Sequence, residues 1–427
     1  MELERFRPFI YVFFVVLLLG AVGYLFQTIF TNYRNTSKPD NISRIQFLQK
    51  SILETRWTGI TQGKKGLSQA FDGVPQEQQL LINANVQGAR LLGYLGPHDS
   101  GVFDEDTGVR TALASGARCL IIEIDRDVDS YEPKLMYRDG WGIRRSLNVG
   151  SINSVAKSIA GRAFVASNDG TPSYLASDPL FVVLYFVSAP SPSDLPRDYV
   201  RYMAKVARAI QPLGPYLIGQ TPQGDFRRQN LESELFYLNY KVFSSRIILL
   251  TNADTSAFRR LDSLGLAGEI SKEDDLDLLS HARLYSRESP SGLGITSSPS
   301  GSQQPAAVIT SVGYWTNTPP DRLGDAVSQT KKSWTIAMPP ISSDTNYITP
   351  SNLKTLMTTY GVQSIPISIF NSDDSLKGVV LGKEAPFGTN GWVAKPLLIR
   401  YIPPPQIPIS RPIPQTNSGG GAMRSPQ

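Results

Sequence analysis

Phe181 to Val187 reads FVVLYFV, seven residues whose only polar group is one tyrosine hydroxyl. A strand turns successive side chains to opposite faces, so such a run needs both faces covered, as in a parallel sheet flanked by helices. The segments around it keep the same rhythm. Gly108 to Ser115 reads as a helix, Arg118 to Ile124 as an apolar strand, Ser151 to Phe164 as a helix, and Asp198 to Ile210 as an amphipathic helix. Beyond these, Arg246 to Leu250 is a strand, Asp274 to Leu284 and Leu353 to Tyr360 are helices, and Ser364 to Phe370 is a strand. Strands and helices taking turns define an α/β chain, either a doubly wound sheet or a TIM-type (β/α)8 barrel, and the length fits the barrel.

The amino-terminal end is of another kind. No charged residue lies between Arg7 and Arg34, and Phe9 to Phe30 reads FIYVFFVVLLLGAVGYLFQTIF. A helix rising about 1.5 Å per residue over that run would cross a hydrocarbon core of roughly 30 Å. The alternative is a cleaved signal peptide ending at Ala21-Val22-Gly23, but the apolar sequence continues past that site, so a retained N-terminal transmembrane helix is the expectation. Arg5 and Arg7 before the run balance Arg34 and Lys38 after it, and the positive-inside rule chooses no side. Asn35-Thr36-Ser37 and Asn41-Ile42-Ser43 match the glycosylation pattern, which matters only if the following domain is lumenal or external.

The 427 residues then divide into an anchor over 1–33, a stalk or lead-in over 34–75, a barrel over 76–402 and a tail over 403–427. Ser286 to Ala306 is rich in Ser, Pro, Gly and Gln and reads as a disordered insertion in the barrel. The tail, PPPQIPISRPIPQTNSGGGAMRSPQ, reads as an extended spacer. The net charge of +5 comes from 42 basic and 37 acidic residues spread along the chain, with no basic block interleaved with aromatics. Nucleic acid is thereby excluded as the expected partner. The single cysteine, Cys119, rules out an internal disulfide and a cysteine-based zinc site.

Chemistry-bearing residues gather near His98. Gly96-Pro97-His98-Asp99-Ser100-Gly101 leads into a short helix that ends at Gly116-Ala117-Arg118 and passes into the strand Cys119 to Asp125, followed by Pro133-Lys134-Leu135-Met136-Tyr137-Arg138-Asp139-Gly140. This order resembles the X region of phosphatidylinositol-specific phospholipase C (PLC), where an HN or HD pair opens the site, a "GxR" turn feeds a strand carrying acids, and a "P-x-x-Y-H-G-H" segment brings a second histidine. Asn390-Gly391-Trp392-Val393-Ala394-Lys395-Pro396 is similar to that family's closing "GYVLKP". Asp178-Pro179-Leu180-Phe181 and Ile247 to Phe258 resemble, within that group, the PLC-like proteins encoded by large double-stranded DNA viruses of protists and algae.

The resemblance implies a PLC-like phosphodiesterase fold and a site of known design. His98 stands where the family has its general base, and Asp99 and Glu123 stand where it has two oxygen ligands of Ca²⁺. Arg118 and Arg138 are candidates to clamp a phosphate, as in an anionic lipid headgroup or an inositol phosphate. The departures are equally specific. Gly140 takes the place of the second histidine, Ile121 replaces the first strand acid, and the strand from Phe181 carries no acid. The only other histidine, His281, falls in the expected Asp274 to Leu284 helix. The sequence therefore predicts a membrane-anchored, catalytically degenerate member acting as a headgroup-binding or structural component of a membrane or virion. The alternative is an active phosphodiesterase cleaving phosphoinositides, with His98 as base.

Overall fold

The computed structural model describes residues 11, 13–25, 27, 39–57, 65–96, 100–126, 131–139, 142–165, 175–221, 224–225, 234–286, 288, 305–339, 349–370, 386–387 and 390–404. Eight parallel strands close into a barrel: β1 (Ala84–Arg90), β2 (Cys119–Arg126), β3 (Leu180–Phe186), β4 (Ile247–Thr251), β5 (Ala282–Ser286), β6 (Ala307–Ser311), β7 (Trp334–Met338) and β8 (Ser364–Ser368). Each pairs with the next, and β8 returns to β1 with Val86 opposite Ser364. Two short antiparallel segments decorate the ends: Pro133–Lys134 against the end of β2, and Trp392–Ala394 against the start of β1.

The alternation along β2 explains why the strand is buried throughout. Cys119 and Ile121 belong to an inner cluster with Val86, Phe181, Ile309 and Trp334, whereas Leu120, Ile122 and Ile124 belong to an outer cluster shared with the helices. By the same period of two, Glu123 and Asp125 turn inward at the carboxyl end of β2. At the amino end the interior is plugged by aromatic rings, with Phe181 and Trp334 stacked at 4.3 Å and Phe236 and Trp334 at 5.3 Å between centroids. Gly88 of β1 has no room for a side chain: a Cβ there would lie 2.7 Å from Ser364 Oγ and 2.9 Å from Pro366 Cα.

Helices cover the outside. Within the stretch expected as a lead-in, α1 (Pro39–Trp57) packs on the barrel, burying Leu53 and Trp57, and the Trp57 indole donates to Ile369 O at 3.1 Å. Between the early strands lie α2 (Glu105–Ala114), capped by Asp104 through Thr107 N, α3 (Ile152–Arg162), capped by Ser151, and α4 (Pro196–Ala209), begun by a proline at its first turn. Later come α5 (Leu323–Lys332) and α6 (Pro350–Thr355), the latter widening into a π turn over Leu356–Tyr360.

Two expectations change. The helix expected over Asp274 to Leu284 is a single turn, Leu276–Leu279, followed directly by β5. Asp275 caps that turn through Asp277 N and Leu278 N, and His281 then locks the chain in strand register by accepting from Leu249 N at Nδ1 (2.9 Å) and meeting Ile218 O at Nε2 (2.9 Å). The apolar run Phe9 to Phe30 extends beyond the described residues on both sides. Its described part is helical, with Phe13, Phe14, Leu18 and Leu19 exposed, and among the described residues no helix is long and apolar enough to cross a membrane. The expected transmembrane helix therefore lacks structural support. Residues 287 and 289–304 of the expected insertion and 405–427 of the tail lie outside the described residues.

Candidate functional site

The carboxyl ends of β1 and β2 bring three charged side chains into the mouth of the barrel. Arg90, the last residue of β1, grips Glu123 with two parallel hydrogen bonds, Nε to Oε1 at 2.8 Å and Nη2 to Oε2 at 3.1 Å. Its Nη1 donates to Pro339 O just beyond β7, so one guanidinium ties three strands together. Leu91 N donates to Glu123 Oε1 at 3.3 Å. Both side chains are almost completely buried. Removing either partner of such a pair would strand a buried charge, at about 3–5 kcal/mol. Beside them, burial pushes the Tyr185 phenol above its ordinary range, with Arg90 pulling it back and Glu123 adding to the rise.

Asp125, two residues on, is equally engaged. It accepts from Arg138 Nε and Ser188 Oγ, and from Arg126 N at 2.8 Å. The loop that supplies Arg138 folds back as a hairpin, with Arg138 bridging to Arg144 and Arg138 Nη1 donating to Gly142 O at 3.1 Å. Asp139 steadies the same hairpin through Arg145, at 2.6 Å.

Against this geometry the sequence candidates separate. Glu123 and Arg138 reach the mouth, but they do not meet in one clamp: Glu123 is taken by Arg90 and Arg138 by Asp125. Calcium requires about six to eight oxygen ligands. Both Glu123 oxygens accept from Arg90, whose guanidinium already balances the carboxylate charge, which weakens the case for Glu123 as a Ca²⁺ ligand. Among the described residues no group of three or more His, Cys, Asp or Glu side chains is placed to hold a metal ion. His98, Asp99 and Gly140 lie outside the described residues. Ile121 is a buried apolar residue of the inner cluster.

Arg118 belongs to the other end. It precedes β2, about 16 Å along the strand from Glu123 at roughly 3.3 Å per residue. It is fully buried: Nη1 donates to Ala163 O at 3.0 Å, while Nε and Nη2 have no hydrogen-bond partner among the described residues. Burial lowers its guanidinium to about 10, and the nearby Asp178 charge opposes that shift. Asp178, just before β3, holds Leu67 N with both oxygens at 3.1 and 3.0 Å. Burial lifts its carboxyl to about 6, opposed by the Arg118 charge and the Leu67 bond. Arg118 is therefore a buried charge of the barrel base, unable to clamp a phosphate at the mouth. The Asp178 to Phe181 run has a local explanation in the same place, a buried cap followed by the start of β3. His281, with both ring nitrogens on backbone groups, is a structural residue.

Arg90 escaped the sequence reading because β1, ANVQGAR, has no apolar run to announce a strand. Once the strand is placed, its parity puts Arg90 inside. Asp125 was visible as the end of an apolar strand, and its inward parity with Glu123 was the available signal.

Neither a family model nor a curated protein sequence matches the chain. Solved structures do. PLC21 of L. pealei superposes with a TM-score of 0.51 at 14% identity, covering 79% of this chain and 39% of its own. PLC21 of S. officinalis gives 0.50 at 14% identity, covering 77% and 40%. The chain thus spans about two-fifths of the length of these proteins, and at such identity the likeness is one of fold. The eight-stranded parallel barrel is the fold that the chain shares with these two PLC21 structures.

Proposed function

We propose that this chain is a catalytically degenerate PLC-fold protein, held at a membrane, that binds a phosphate-bearing headgroup or serves as a structural component of that membrane or of a virion. The observation that carries the loss of catalysis is the bidentate Arg90–Glu123 pair. In the family that the sequence resembles, the acid at the Glu123 position is a metal ligand. Here a fixed guanidinium balances that carboxylate's charge and hydrogen-bonds both of its oxygens, which weakens its pull on a cation. Gly140 in place of the second histidine points the same way, because acid and base act as a unit in this chemistry.

Membrane attachment rests on the Phe9 to Phe30 run, whose described helical residues expose large apolar side chains. Headgroup binding rests on Arg138, which reaches the mouth with about a quarter of its side chain exposed. The test is a turnover assay of the full chain in detergent on phosphatidylinositol, with and without added calcium. No product above background is expected. Calcium-dependent cleavage that disappears in His98→Ala would overturn the reading and establish the enzyme alternative.

A further inference from the structure

A second concentration of charge lies at the amino end of the barrel. A groove of about 900 Å³ opens between α6 with its π turn and the segment following Trp392, and Asn85, Val393 and Ala394 place it beside the start of β1. Lys354, Lys395 and Arg400 line it, and no Asp or Glu among the described residues does. Lys395 is fully buried, its Nζ donating to Thr330 O at 2.9 Å. Arg400 gives Nε and Nη2 to Lys395 O, at 3.2 and 2.7 Å, and Nη1 to Gln78 Oε1 at 3.2 Å. Lys331 stands close enough for its charge to act on the Lys395 ammonium.

Elsewhere in the molecule arginines rest on carboxylates, as Arg162 of α3 does on Asp106, Arg208 of α4 on Asp274 and Arg283 of β5 on Asp254 and Asp277. In the groove, among the described residues, Lys395 and Arg400 rest only on neutral oxygens. Among the described residues, none of Lys331, Lys354, Lys395 and Arg400 forms a salt bridge. Gathering like charges in a partly desolvated recess is unfavourable, and burial with Lys331 nearby pushes the Lys395 ammonium well below its ordinary range. An anion reverses the sign of these effects and meets charge-assisted donors. Met357, Val393 and Pro396 give the same recess an apolar wall. The volume lies within the range of small-molecule sites.

We infer that this groove is an anion site for a phosphorylated small molecule or headgroup, separate from the barrel mouth, with Lys354 and Arg400 contacting the phosphate and the buried Lys395 adding its field. The site stands apart from the degenerate mouth and does not depend on that reading. The test is calorimetric titration of the full chain in detergent with inorganic pyrophosphate. Saturable binding that weakens as salt is raised is expected, with a roughly tenfold loss of affinity in Lys354→Ala, whose exposed side chain can be removed without opening the core. Arg201→Ala, which removes a surface arginine of α4 paired with Glu269, is expected to bind as the parent does.

The two sources of phosphate separate in nanodiscs carrying the full chain. If doping the bilayer with an anionic phospholipid weakens pyrophosphate binding, a headgroup competes for the groove. If affinity is unchanged, the natural ligand is a free phosphate. Absence of pyrophosphate binding at low salt would overturn the inference, and so would binding lost in Arg138→Ala but kept in Lys354→Ala.

Discussion

At the mouth of the barrel Glu123 and Asp125 each have an arginine, whereas at the base Arg118 and Asp178 are buried near one another without a salt bridge and Lys395 rests on a carbonyl. The difference separates two uses of buried charge. Paired charges buried on both sides, such as Arg90 with Glu123, hold strands in place and ask nothing of a ligand. Unpaired ones keep an electrostatic demand that a proton or an anion can meet. A catalytic centre belongs to the second kind, yet in this molecule the mouth, where a PLC-fold enzyme works, has among its described residues the character of the first.

The largest effect should come from breaking the mouth pair. Arg90→Ala is expected to lower the unfolding free energy by about 3–5 kcal/mol, and Arg90→Met combined with Glu123→Leu by clearly less, because the double replacement leaves no orphaned charge. Urea denaturation of the three proteins checks this. A double variant as unstable as the single one would mean that the pair is prized for packing rather than for charge.

The next effect lies at the base. Asp178 holds its proton more tightly when folded, at about 6 against about 3.9 in an unfolded chain. Its contribution to stability is therefore full below the unfolded value and is lost as pH rises through the folded one, by up to about 3 kcal/mol between pH 4 and 7. Asp178→Asn, which keeps an acceptor for Leu67 N, should flatten that part of the stability profile. An unaltered slope in thermal unfolding across this window would place the unmatched charge elsewhere.

The smallest change expected is for Arg138→Ala. Asp125 keeps Ser188 Oγ and Arg126 N, and Arg138 is partly solvated, so about 1–2 kcal/mol should be lost. A loss matching that of Arg90→Ala would erase the distinction between the deep pair and the rim pair.

The barrel was legible where its strands are apolar. FVVLYF and CLIIEI declare themselves because both faces are buried, and the amphipathic α4 declares itself by burying Tyr199, Met203 and Val206 along one face. β1 was hidden, since its outward Asn85 and Gln87 bind Val362 O and Ser115 Oγ and its inward Gly88 is small from lack of space. The helix expected through His281 failed for a related reason. Apolar residues at Leu276, Leu279, Ala282 and Leu284 fit a helical period, and only the two bonds of the imidazole to backbone reveal the switch into a strand. In the site, sequence order found Glu123 and Arg138 but not their partners. Arg118 was misassigned because a "GxR" turn fixes its place in the chain and not which end of the strand faces the chemistry.

Strand β1 meets β2 on one side, β8 on the other and Trp392–Ala394 at its start. Two of those three partners come far later in the chain than β1, so a growing chain carries an open edge until both have been made. Contacts between such distant segments are slow to form. Until they do, the apolar strands β2 to β4 stand beside an unpaired edge that invites association with other chains. A nascent chain stopped short of β8 should therefore be a client of chaperones, and barrel closure, rather than helix formation, should set the pace of folding.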